Sequence, residues 1–89
     1  LTDIQGIGYT GWRKLMPELK KMNVFASPHA WGSQIKTNVV AHLAAAYGNT
    51  ASIEGVTCIS DDCDLGDYHL ENGKLIPSQK AGFGMKLLV

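Results

Sequence analysis

No apolar run in this sequence approaches the ~20 residues a helix needs to span a bilayer, and its start carries no signal-peptide pattern. Nor is there an excess of either charge: eight lysines and arginines balance eight aspartates and glutamates. A neutral chain lacks the electrostatic footprint that nucleic acid or an anionic membrane surface would call for. Cysteine is scarce, only Cys58 and Cys63. Two cysteines make no disulfide framework, so a reduced, cytoplasmic chain is the simpler reading. An initiator methionine is missing, since the chain opens on Leu1. That suits a trimmed or cleaved product, and a processed protein would look the same. With 89 residues the chain makes one small domain at most.

The residues present are patterned. Leu1 to Gln5 reads as the end of a strand, followed by a glycine-rich turn from Gly6 to Gly11. From Trp12 the apolar residues Trp12, Leu15, Met16, Leu19 and Met22 fall on one helix face, with Thr10 as a candidate cap and Asn23 as a closing residue. Pro17 predicts a kink, or a helix that starts near it. Val24 to Ser27 is a short apolar strand, stopped by Pro28. Ser33 caps a second predicted helix carrying Ile35, Val39, Val40, Leu43 and Tyr47, which Gly48-Asn49 ends. Ser52 to Val56 is a third strand candidate, and Asp67 to Pro77 reads as a hairpin or extended arm with a turn at Asn72-Gly73.

Strand, helix, strand, helix, strand is the order of an α/β unit with parallel strands. Three strands and two helices do not close a barrel of typically about 250 residues, and a parallel sheet needs both faces covered. The pattern is therefore expected to be part of a larger α/β fold. Residues 1–57 would supply its last strand–helix units and residues 58–89 an extended arm.

Several motifs invite sharper readings that their surroundings weaken. Gly6-x-Gly8-x-x-Gly11 matches a dinucleotide fingerprint, but no Asp or Glu lies between Glu18 and Glu54 to hold a ribose hydroxyl. The acidic residues Asp61, Asp62, Asp64 and Asp67 fail the calcium-loop template in both registers and read as a solvated loop. Cys58, Cys63 and His69 lack a fourth zinc ligand and the usual spacing.

His29 is the stronger candidate. It follows an apolar strand directly, at the end where (β/α) barrels place their active sites. A lone strand-end histidine is more often a hydrogen-bonded structural residue. Here, however, Asp3 ends the preceding strand and Glu54 lies in the following one, so adjacent parallel strands would bring all three to one face. A carboxylate beside a histidine raises its basicity and fixes its tautomer, as a general acid/base requires. Trp31 would shield the site from water. His42, within a helix, and His69, in the arm, read as structural or exposed.

The ordered set Gly8-Tyr9-Thr10-Gly11-Trp12, Ser27-Pro28-His29-Ala30-Trp31-Gly32, Ala41-His42-Leu43-Ala44-Ala45-Ala46 and Ile53-Glu54-Gly55 resembles the last strands of the mandelate racemase/muconate lactonizing enzyme family, in the enolase superfamily. Asn72 to Pro77 with Gly82-Phe83-Gly84-Met85 is similar to that family's closing segment, which returns to a capping domain. The resemblance implies the C-terminal part of a modified (β/α)₇β barrel. It implies an enzyme that removes a proton next to a carboxylate and stabilises the enediolate on Mg²⁺, the ion being held by residues upstream of Leu1. His29 would be the general acid/base, Asp3 its dyad partner, Glu54 a group that hydrogen-bonds the substrate carboxylate or enediolate, and Trp31 a substrate-binding residue. A register shifted by one would put Thr2 in the place of Asp3.

The segment around His29 looks like those of acid-sugar dehydratases. A racemase, epimerase or cycloisomerase on the same scaffold remains open, as does a catalytically silent fragment with a structural role. The resemblance implies a sugar-acid substrate, the remainder of the barrel and capping domain as partners, and a homo-oligomer. The 89 residues alone are expected to be inactive.

Overall fold

A computed structural model describes residues 3–54 and 61–88. Its two helices are α1 (Ile4–Lys21) and α2 (Gln34–Tyr47). Four short strands follow in the arm: β1 (Cys63–Asp64), β2 (His69–Glu71), β3 (Lys74–Ile76) and β4 (Lys86–Leu87). Among the described residues no helix is long and apolar enough to cross a membrane.

Helix α1 begins eight residues earlier than the apolar spacing predicts. Asp3 caps it, Oδ1 accepting from the Gln5 amide at 2.8 Å, so the glycines expected to form a turn lie inside the helix. Gly8 alone departs from helical geometry, at φ 70° and ψ 166°, and kinks the helix there. Only a residue without a Cβ adopts that conformation cheaply. Pro17 lies inside the helix with helical dihedrals, so the helix neither starts nor breaks there, although its ring removes the N–H that residue 17 would have offered. The Arg13 carbonyl, which that N–H would have served, accepts instead from the Tyr47 hydroxyl at 3.1 Å. Asn23, at φ 56°, ends the helix as the sequence suggests.

Helix α2 matches its sequence signals at both ends. Ser33 Oγ accepts from the Ile35 amide at 3.1 Å, and Gly48 closes the helix in the left-handed conformation. The two helices enclose a core of Ile4, Trp12, Met16, Ala30, Val40 and Leu43. Burial of each large apolar side chain stabilises the fold by about 1.5–3 kcal/mol.

The expected strands are largely unpaired. Residues 24–28 form no strand, nor do 52–54, while 55 and 56 lie outside the described residues. Of the parallel sheet, one bridge is present, Asp3 beside His29, with the Ile4 amide donating to the His29 carbonyl at 2.9 Å. A strand is defined by its neighbour, and these edges have little to pair with among the described residues.

The arm is better formed. β2 and β3 make an antiparallel hairpin across Asn72-Gly73, whose φ values of 51° and 76° both lie in the left-handed region that a two-residue hairpin turn requires. Cys63 sits in β1, which pairs with β4, so part of the predicted acidic loop is strand. Phe83 docks the arm onto both helices, its ring edge-on to Tyr9 at 5.0 Å and to His42 at 5.1 Å. The Phe83 carbonyl accepts from the buried Asn38 amide at 3.1 Å.

Candidate functional site

His29 sits between two fully buried neighbours, Pro28 and Ala30. In extended backbone successive side chains alternate sides, so burying its neighbours turns the imidazole the other way, and it is half-exposed. The approach to it is anchored at three points. Asn49 holds residues 24–26, its carbonyl accepting from the Ala26 amide at 2.8 Å while its side-chain amide donates to the Met16 and Val24 carbonyls. Ser27 Oγ accepts from the Ser52 amide at 3.3 Å. The bridge to Asp3 fixes the far end.

Glu54 is positioned from α2. The buried Thr37 hydroxyl donates to its backbone carbonyl at 3.1 Å. Glu54 Oε2 then lies 2.7 Å from His29 Nδ1 and accepts from the Ala30 amide at 2.9 Å. The amide bond is well directed. The contact with the ring is short but lies off the N–H direction, leaving Nδ1 without an aligned hydrogen bond.

Asp3 stands beside His29 through the backbone, but its carboxylate is engaged elsewhere. Oδ1 caps α1, and Oδ2 meets Lys36 Nζ at 3.2 Å. The Gln5 amide, with the Lys36 ammonium assisting, holds the Asp3 carboxyl below its usual range. Lys36 also donates to the Trp31 carbonyl at 3.4 Å. Trp31 projects its indole outward, 63% exposed.

The structure thus gathers Asp3, His29 and Glu54 in one region and pairs the histidine with Glu54. Sequence reasoning missed Lys36. A lysine in the first turn of an amphipathic helix reads as solvated, and its partner lies 33 residues away. No local signal could have found it.

A family model described as enolase C-terminal domain-like matches residues 2–88. The chain belongs to that family. Comparison with curated proteins finds no match, and neither does comparison with solved structures. Membership of the enolase C-terminal domain-like family implies an α/β fold related to the TIM barrel.

Within this enolase C-terminal domain-like chain, no group of three His, Cys, Asp or Glu among the described residues could hold a metal ion. The Mg²⁺ that the resemblance implies therefore has no fitting ligand set among the described residues. A cavity of about 390 Å³ opens between α2, residues 50–54 and the β2–β3 hairpin, lined by Thr37, Ala44, Ile53, Glu54, Tyr68 and Leu75 among others. Glu54 belongs to its wall and His29 does not. His42 is structural, its Nδ1 within 2.9 Å of the Asn38 carbonyl, and His69 is exposed on the hairpin.

Proposed function

We propose that this chain supplies the general acid/base side of an enolase-superfamily active site, as the last strand–helix units of a (β/α)₇β barrel with an arm returning to a capping domain. The observation that carries this reading is the 2.7 Å contact between His29 Nδ1 and Glu54 Oε2. It joins a half-exposed imidazole to a carboxylate at the end where a barrel would open its site. A carboxylate beside one ring nitrogen, once aligned with its N–H, orients the histidine and leaves Nε2 to exchange protons with substrate.

The reaction is acid-sugar dehydration. His29 Nε2 takes the proton from the carbon next to the substrate carboxylate, and the C–H electron pair moves into the carboxylate, giving an enediolate. As that pair returns to form the C=C bond, the β-hydroxyl departs with a proton from His29 as water. The resulting enol becomes a 2-keto acid. Trp31 would cover the substrate. Mg²⁺, held by residues outside this chain, would supply charge stabilisation of the enediolate. Racemisation, epimerisation or cycloisomerisation on the same scaffold begins with the same proton removal.

The test is replacement of His29 in the intact protein, assayed with Mg²⁺ and a panel of sugar acids. His29→Asn should lower turnover by about 10²–10⁴-fold, the usual contribution of a positioned acid or base. Unchanged turnover and unchanged solvent-deuterium incorporation at the α-carbon would defeat the reading. Formation of an epimer without loss of water would select the isomerase alternative.

A further inference from the structure

We propose that Asn72-Gly73 is a modification site: a spontaneous deamidation site gated by the β2–β3 hairpin, with water as the reagent. While the hairpin is closed, its turn keeps the Gly73 nitrogen away from the Asn72 side chain. When it opens, Asn72 is converted to aspartate and isoaspartate.

Of the asparagines in the chain, Asn72 alone precedes a glycine. Asn23 and Asn38 precede valine, and Asn49 precedes threonine. A β-branched neighbour crowds the approach to its own backbone nitrogen, and glycine does not. Asn72 and Gly73 are both exposed, and a Cβ built on Gly73 would meet nothing within 4 Å. Water therefore has room to reach the pair.

The step is a substitution at the side-chain amide. The Gly73 nitrogen gives its proton to hydroxide and attacks Asn72 Cγ. The N–Cγ bond forms, the Cγ–Nδ2 bond breaks, and Nδ2 leaves as ammonia with a proton from water. Water then opens the five-membered imide. Attack at Cγ leaves aspartate, and attack at the backbone carbonyl carbon leaves isoaspartate.

Ring closure needs the Gly73 nitrogen on the same side of the Asn72 Cα–C bond as Cβ. The folded turn opposes this. Positive φ at both residues, 51° and 76°, marks a type I′ turn, in which ψ of the first residue is about +30°. At that angle the nitrogen lies nearly opposite Cβ. Turning it round breaks the pairing of Glu71 with Lys74 that closes the hairpin. The reaction therefore draws on the opened hairpin, and its rate follows the open population. Isoaspartate lengthens the backbone, so a two-residue turn no longer holds Leu70 opposite Leu75. Gly73, Lys74 and Leu75 also line the cavity beside α2, so the conversion loosens one wall of it.

The test incubates the intact protein in mildly alkaline buffer, native and unfolded in urea. The masses of the peptides carrying each asparagine are followed over time. Asn72 should convert at least about tenfold more slowly in the native protein than in the unfolded one. Asn23, Asn38 and Asn49 should keep their amides while unfolded Asn72 is lost. Ile76→Gly, which weakens β3, should speed both amide exchange across residues 69–76 and conversion of Asn72. Should that variant not fold, the parent in sub-denaturing urea gives the same comparison. Equal native and unfolded rates would overturn the gate, as would faster exchange without faster conversion. Another asparagine converting as fast as Asn72 in the unfolded chain would overturn the site.

Discussion

The Tyr47 hydroxyl, at the last residue of α2, donates at 3.1 Å to the Arg13 carbonyl, the acceptor that Pro17 deprives of its helical donor. The pairing gives that carbonyl a donor in place of the N–H that proline lacks. Tyr47→Phe should therefore cost about 0.5–1.5 kcal/mol, the net value of a typical hydrogen bond. In a Pro17→Ala background the backbone N–H returns, and Tyr47→Phe should cost less. Denaturant unfolding of the four proteins measures the coupling. Equal costs in both backgrounds would show that the hydroxyl is not standing in for the missing donor.

Glu54 serves a backbone amide and an imidazole with one oxygen, and two substitutions separate those duties. Glu54→Gln keeps an acceptor for the Ala30 amide but removes the charge beside His29. It should lower kcat by about 10²-fold with little change in Tm. Glu54→Ala should lose activity similarly and also leave the Ala30 amide unpaired, costing about 1–3 kcal/mol of stability. Wild-type kcat in both variants would remove Glu54 from the proposed site.

Gly84 and Gly66 meet where the arm folds back on itself. A Cβ on Gly84 (φ +70°) would run into Ser78, and one on Gly66 (φ +78°) into the Gly84 carbonyl. Gly73 has a similar φ of +76° but open space around it. Gly73→Ala should therefore cost only the left-handed conformation, about 1–2 kcal/mol. Gly66→Ala and Gly84→Ala should cost more and lower Tm further, because steric overlap adds to that penalty. Equal Tm losses at all three positions would mean that the close approach carries no energy.

The hairpin should have a bounded pH range of stability. The Asp67 carbonyl, assisted by the Glu71 carboxylate, holds the His69 ring above its ordinary value of 6.5. Its stabilisation is complete below the unfolded value and is lost as pH rises through the higher folded one. The Ser78 hydroxyl holds the Asp67 carboxyl below its ordinary 3.8. That contribution is complete above the unfolded value and is lost as pH falls through the lower folded one. Amide exchange across residues 69–76 should be slowest between the two limits. His69→Gln should flatten the alkaline side and Ser78→Ala the acid side. A profile unchanged by either substitution would contradict the assignment.

The sequence was most legible where local chemistry decides structure. Ser33 and Gly48 bound α2, and Asn72-Gly73 turns the hairpin, because each acts within a few residues of itself. The start of α1 was misread because three glycines argue against a helix, whereas the Asp3 cap and the packing of Ile4 outweigh them. Residues 24–28 and 52–54 carry the right residues for strands but lack neighbours to pair with. In the site, the Asp3–His29 bridge is the one trace of the expected parallel pairing among the described residues, and Glu54 meets His29 from the 52–54 segment. The Lys36–Asp3 ion pair joins residues 33 positions apart in sequence, so no spacing rule could express it.

Phe83 touches Tyr9 and His42 with its ring and Asn38 through its carbonyl. Tyr9 lies on α1 and His42 and Asn38 on α2, so the full set forms only with both helices in place. Asn38 and Phe83 are 45 residues apart in sequence, and contacts that close long loops form slowly. Closure of the arm is therefore expected late in folding. Substitutions in residues 81–84 should leave the rate of folding nearly untouched and quicken unfolding instead, so this short stretch governs how long the assembled chain persists.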